Sequence, residues 1–230
     1  MKSKSLNNLK TAKRIAALAL TLCLTSAALL GCRNETKLAE ELSVAKSGLE
    51  KASALESGEI MVYETLKTDH DVQDKLQSSV KETYIKFLRG GELEYDFTET
   101  EKIAATGEMK TYEATSEKGE TVVTRDGVVV DKSEAPDIFS YFAMDYDVSE
   151  VDSIEVINAG EQTLYTVTMK SDYDVGFSRD GIDYKCEKAL YNYYIDSDGV
   201  VRTVLSEFTF EADYNGDVQT VVNFRQAAIN

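Results

Sequence analysis

A single histidine, His70, sits between Asp69 and Asp71 in a polar stretch. One imidazole cannot build a multi-histidine metal site, and it reads as a solvated loop residue. The three cysteines, Cys23, Cys32 and Cys186, include no pair at zinc-ligand spacing. Lys185 and Lys188 flank Cys186 and could lower its pKa, but no histidine is close in sequence to act as its base. Asp196, Asp198 and Gly199 have the residue types that open a calcium loop, with Glu207 at the twelfth position. Strand-forming residues fill 200–206 between them, so a hairpin turn is expected there instead. Asp180, Gly181 and Asp183 make a second acidic turn of the same kind. There is no nucleophile elbow and no phosphate-binding glycine loop. The chemistry-bearing residues therefore point away from an enzyme, and they call for no cofactor and no metal.

Charge narrows the partners further. The chain carries 25 Lys and Arg against 41 Asp and Glu, a net of −16. Phosphate recognition needs clustered cations, so no nucleic-acid partner is expected.

The basic residues Lys2, Lys4, Lys10, Lys13 and Arg14 precede an apolar run from Ile15 to Leu30. That order is a signal peptide's, with a basic n-region and an apolar h-region. The run ends in Leu29-Leu30-Gly31-Cys32, which resembles the bacterial lipobox; a plain signal peptide or an N-terminal membrane anchor is the alternative. The resemblance implies cleavage before Cys32, a diacylglyceryl thioether on its sulfur and palmitate-type acylation. Residues 1–31 are then a lipoprotein signal peptide, 32–36 a lipidated tether and 37–230 one domain. The mature chain loses five cations and no anion, leaving 20 against 41 and a net of −21. Such a body is repelled by an anionic membrane surface, so the acyl chains and not surface charge would hold it there.

The elements that follow are legible from period. Leu38, Leu42, Ala45, Leu49, Ala52 and Leu55 recur at spacings of three and four, predicting an amphipathic helix over 35–56 that stops at Gly58. Its stripe needs a partner, and a sheet is the one available; a coiled-coil tether is the alternative. From Glu59 the period becomes two. Leu93, Tyr95 and Phe97 alternate with Glu92, Glu94, Asp96 and Thr98, and Val204, Phe208, Phe210, Ala212 and Tyr214 share one face. Strands are expected near 59–67, 82–88, 92–99, 108–117, 120–125, 128–132, 162–170, 189–195, 200–213 and 217–227. Gly90-Gly91, Lys118-Gly119, Asp126-Gly127, Asp198-Gly199 and Asn215-Gly216 punctuate them as turns. Residues 133–157 break the rhythm, with Ile138, Phe139, Tyr141, Phe142 and Met144 predicting a short mid-chain helix. Residues 172–188 read as a long polar loop. The fold class is α+β, mostly β and antiparallel.

This order of elements resembles the LolA/LppX-like lipoproteins, most of all where Tyr193-Tyr194-Ile195-Asp196-Ser197-Asp198-Gly199-Val200-Val201-Arg202 leads into the final strands. The resemblance implies a curved, incomplete barrel wrapped on the N-terminal and mid-chain helices. It also implies an apolar cavity for acyl chains or a lipidated partner. Phe139, Phe142, Tyr165, Tyr193, Phe208 and Phe210 are the candidate ligand-binding residues. Core packing is the other use for those rings. The expected role is a lipid-binding lipoprotein anchored on the extracytoplasmic face of a bacterial cell membrane. A structural or sensory envelope module that binds a protein is the alternative.

Cys32→Ala removes the one thiol that cleavage would leave at the mature N-terminus. The variant is expected to stay as precursor or to appear in the medium, unlabelled by a clickable palmitate analogue. Labelling of the variant, or none of the wild type, would overturn the lipoprotein expectation.

Overall fold

The computed structural model describes residues 35–68, 77–171, 173–179, 182–214 and 217–230. His70, Cys32, Cys23, the Asp180-Gly181 pair and the Asn215-Gly216 pair lie outside them. The chain falls into two compact units, Met1–Glu41 and Leu42–Asn230. Of the first, helical residues from 35 to 41 are described, with Lys37 and Glu41 paired at 3.5 Å.

One α-helix, α1, runs over 35–53. Twelve strands follow: β1 (Ser57–Thr68), β2 (Ser79–Arg89), β3 (Leu93–Ile103), β4 (Met109–Glu117), β5 (Glu120–Arg125), β6 (Val128–Val129), β7 (Val151–Ala159), β8 (Gln162–Met169), β9 (Gly176–Arg179), β10 (Ile182–Asp196), β11 (Val201–Tyr214) and β12 (Asp217–Ile229). They form one curved antiparallel sheet in the order β6-β5-β4-β3-β2-β1-β12-β11-β10-β8-β7, with β9 on β10. The sheet is thus two meanders, β1–β6 and β7–β12, joined where β1 pairs with β12. Its end strands do not pair, so no barrel closes. The α+β, mostly β class read from the sequence is the observed one.

Hairpin chemistry follows the sequence signals. Lys118 and Gly119 both take positive φ (51° and 79°), as do Asp126 and Gly127 (48° and 77°). Positive φ at both central residues is what a tight right-twisted hairpin requires. At the β10–β11 turn the Asp196 carboxylate accepts from the Asp198 and Val200 amides at 3.0 and 2.9 Å and from Arg202 Nε at 2.7 Å. Burial alone would raise its pKa, but these donors draw it below the ordinary carboxylate range. Glu207, the twelfth position of the supposed calcium loop, pairs instead with Lys188 at 3.1 Å.

Alternation assigns the inner face. Ile60, Val62, Ile85, Phe87, Phe97, Val204, Ala227 and Ile229 are all buried, whereas Met61, Tyr63 and Tyr84 on the outer face are about half exposed at 48%, 42% and 44%. Within the larger unit, Leu42, Ala45, Leu49 and Ala52 of α1 are buried, as the stripe predicted. Gly48 sets how closely the helix approaches the sheet. A Cβ there would lie 2.8 Å from Val201 Cγ2 and 3.3 Å from the Gly199 carbonyl oxygen. Lys51 Nζ donates to the Asp198 carbonyl at 3.0 Å, and Arg89 donates to the Ser53 carbonyl at 2.6 Å. A cation at the last turn also complements the helix dipole.

Three expectations are corrected. The helix ends at Ser53, and Gly58 belongs to β1, where a Cβ would meet the Asn230 carbonyl at 2.5 Å and the Phe87 ring at 3.1 Å. The mid-chain helix is replaced by three single 3-10 turns, Lys132–Glu134, Ser140–Phe142 and Val148–Glu150. Pro136 forces Ala135 to an extended ψ of 135°, and Ala143 is extended again at 150°, so no turn propagates. Within the expected polar loop over 172–188, Gly176–Arg179 form β9 and the residues from Ile182 begin β10. Its alternation was hidden because the register shifts between Cys186 and Lys188, moving the buried set from Ile182 and Tyr184 to Ala189, Tyr191 and Tyr193.

Gly48→Ala tests the helix seat. Helix propensity favours alanine by about 1 kcal/mol. Pushing a methyl against the fully buried Val201 is expected to outweigh it, for a net loss of about 1–2 kcal/mol in urea unfolding. Stabilisation would mean that the helix is free to lift.

Candidate ligand site on the inner face

Aromatic side chains of the C-terminal meander touch in sequence across the inner face. The rings of Tyr146 and Tyr191 are 4.8 Å apart, Tyr191 and Tyr193 are stacked at 6.3 Å, and Tyr191 meets Phe208 edge-on at 5.4 Å. Phe208 and Phe210 stack at 5.8 Å, Phe210 meets Phe177 at 5.1 Å, and Phe177 stacks on Tyr184 at 4.7 Å. Same-face spacing along β10 and β11, with β9 beside them, creates this track. Its lower part is a core cluster of Ile182, Tyr184, Phe210, Ala212 and Val221, with Leu66, Val175, Phe177, Cys186 and Phe208 packed on it while still partly accessible.

The phenol groups are satisfied internally. Tyr146 and Tyr193 share a hydrogen bond at 2.8 Å, Tyr173 and Tyr191 one at 3.3 Å, and Tyr184 donates to Gln219 at 3.3 Å. Burial pushes the hydroxyls of Tyr146, Tyr191 and Tyr193 well above the ordinary tyrosine value. Burial likewise raises the Cys186 thiol, against the lowering that the neighbouring lysines suggested, and its Sγ donates to the Lys188 carbonyl.

The structure brings some of the candidate residues together and separates others. Tyr193 (1% exposed) and Phe210 (7%) are buried in the track, and Phe208 is half-buried within it. Tyr165 faces Tyr193 across β8 and β10. Phe142 is buried in the second 3-10 turn. Phe139 packs elsewhere, edge-on to Phe87 at 5.1 Å with the Arg89 guanidinium 4.8 Å above its ring. Cys32 lies outside the described residues. Sequence reasoning missed Phe177, Tyr184, Tyr146 and Tyr173. For the first two a signal was present: alternating residues on either side of Asp180-Gly181 form a hairpin pattern.

A second concavity lies on the outer face. Met61, Tyr63, Glu82, Tyr84, Thr98, Thr100, Gln226 and Ala228 line an open groove of ≈ 480 Å³. Among the described residues no group of three His, Cys, Asp or Glu side chains is placed to hold a metal ion, and no helix is long and apolar enough to cross a membrane.

No family model matches the chain, and no curated protein matches it. Among solved structures it is similar to a DUF1329 family protein from Desulfovibrio piger. The two are 12% identical over 84% of this chain and 91% of that one, with a TM-score of 0.24. A likeness of that degree carries no argument about role.

The buried phenols make stability depend on alkaline pH. An unfolded tyrosine ionises near about 10, while the folded ones resist ionisation. Their contribution is whole below that pH and is lost as pH rises past it, by about 1.4 kcal/mol per pH unit for each such phenol. Tyr191→Phe should make the fall shallower. Phenolate absorbance of all 13 tyrosines rising while near-ultraviolet circular dichroism stays native would refute this.

Proposed function

We propose that the protein is a non-enzymatic lipoprotein, anchored through Cys32 on the extracytoplasmic face of the cell membrane, whose inner sheet face binds an acyl chain of a lipid or of a lipidated partner. The observation that carries the reading is the aromatic track. Its upper members, Tyr146, Tyr191 and Tyr193, are sealed by packing and by their own hydrogen bonds. Its lower members, Phe177 and Phe208, with Leu66 and Val175, keep apolar surface accessible. Clustered apolar surface on a concave face, beside a few polar groups, is the usual setting of a ligand site. The N-terminal lipobox supplies the location where such ligands abound.

Native mass spectrometry of protein purified from membranes is expected to show bound acyl mass. Delipidated protein should take up a fluorescent fatty acid, and Phe208→Ala should weaken uptake roughly ten-fold, the scale of one lost aromatic contact. A homogeneous apo mass with no uptake would overturn the reading. It would favour binding of a protein partner instead.

A further inference from the structure

The strand registers place a row of polar side chains across the inner face. Ser206 of β11 stands opposite Arg225 of β12, and Arg225 opposite Glu64 of β1. Glu64 stands opposite Lys81, Lys81 opposite Glu101, and Glu101 opposite Lys110. Directly opposed side chains on one face are neighbours, so charge alternates along the row.

Two of these groups, Glu64 and Lys81, are engaged. Glu64 accepts from Asn223 Nδ2 at 2.7 Å. Glu99, beside the row, accepts from Thr83 at 3.4 Å and pairs with Lys81 at 3.5 Å. Arg225 differs. Among the described residues its half-buried guanidinium has no ion pair and no hydrogen bond, and it lies 5.9 Å from the Tyr141 ring. Its neighbour Ser206 is 1% exposed, and its Oγ is without a hydrogen-bond partner. A buried hydroxyl and a partly buried guanidinium, adjacent and both unsatisfied, are costly unless something accepts from them.

We propose that Arg225 and Ser206 receive the anionic head group of the ligand, a carboxylate or a phosphate, while its acyl chain runs along Phe208, Phe210 and Phe177. The inference rests on the acyl-chain reading above and names the ligand class: a single-chain anionic amphiphile. The geometry supports the direction. Phe208 and Phe210 follow Ser206 on the same face of β11, about 7 and about 14 Å along the strand, so the tail site begins next to the head site. The guanidinium fork suits the paired oxygens of either anion, being planar by its own delocalisation. Glu64 sits opposite Arg225 and opposes anion binding, so it sets the strength of the site.

Three probes of equal chain length separate the possibilities: a fatty acid, an alkyl phosphate and the neutral alcohol. Wild-type protein is expected to bind at least one anion about ten-fold more tightly than the alcohol, the scale of one charge-assisted hydrogen bond. Arg225→Gln should lose that margin and bind the alcohol as before. Ser206→Ala should lose part of it. Glu64→Gln should increase it, a gain that a damaged fold cannot imitate. The anion with the larger margin identifies the head group. If the alcohol binds wild type as well as the anions do, or Arg225→Gln keeps the margin, the head-group assignment fails and the carrier reading stands. If wild type binds none of the three, the carrier reading itself fails.

Discussion

The pairing of β1 with β12 is the constraint on which the rest depends. It joins residues at opposite ends of the sequence, with Ile60 opposite Ile229 and Thr68 opposite Val221. Local hairpins could form each meander alone, but neither would have a continuous inner face. The seam supplies it. Ile60, Val62, Ala227 and Ile229 meet there as one buried patch, and Glu64, Asn223 and Arg225 meet there as the polar row. A one-residue slip would send every one of these side chains to solvent, so the register is fixed by burial on one face.

Position along the strands then decides chemistry. At one end of the inner face the apolar patch is completed by α1, with Gly48 against Val201 and Arg89 on the Ser53 carbonyl. The polar row crosses the middle. Beyond it the face becomes apolar again at Phe208, Phe210 and Phe177. This banding explains why the aromatic residues divide into a sealed group and an accessible group although they lie on the same strands. Tyr146 packs on the upper rings from outside the strands, whereas the lower ones pack on strand neighbours.

Much of the fold was legible because the strands alternate strongly and their turns are marked by glycine. The β4–β5 and β5–β6 hairpins are the clearest cases, since Lys118-Gly119 and Asp126-Gly127 take the expected conformations. What was illegible has physical reasons. β7 lies at the edge of the sheet, and its residues after Val151 are almost all exposed, so burial imposed no clean alternation on them. The bulge near Glu187 switches parity within β10 and disguised its first half as loop. The candidate site was legible by residue type and not by arrangement. Phe208 and Phe210 were identifiable as same-face aromatics, while Phe139 shares their chemistry but is drawn to Phe87 and Arg89 by the path of the 3-10 turns. Arg225 gave no signal, because its place beside Ser206 and Glu64 is set by the pairing of three strands distant in sequence.

The seam also bears on how the chain reaches this structure. β1 follows α1 directly, but its outer partner is β12, so after the first meander has formed β1 still presents a row of open amides and carbonyls. Contacts of such long sequence separation form slowly, and open strand edges recruit other strands meanwhile. Two copies that meet in that interval can exchange β12, each completing the other's sheet in the native register. The resulting domain-swapped dimer would contain two complete inner faces, each with residues from both chains.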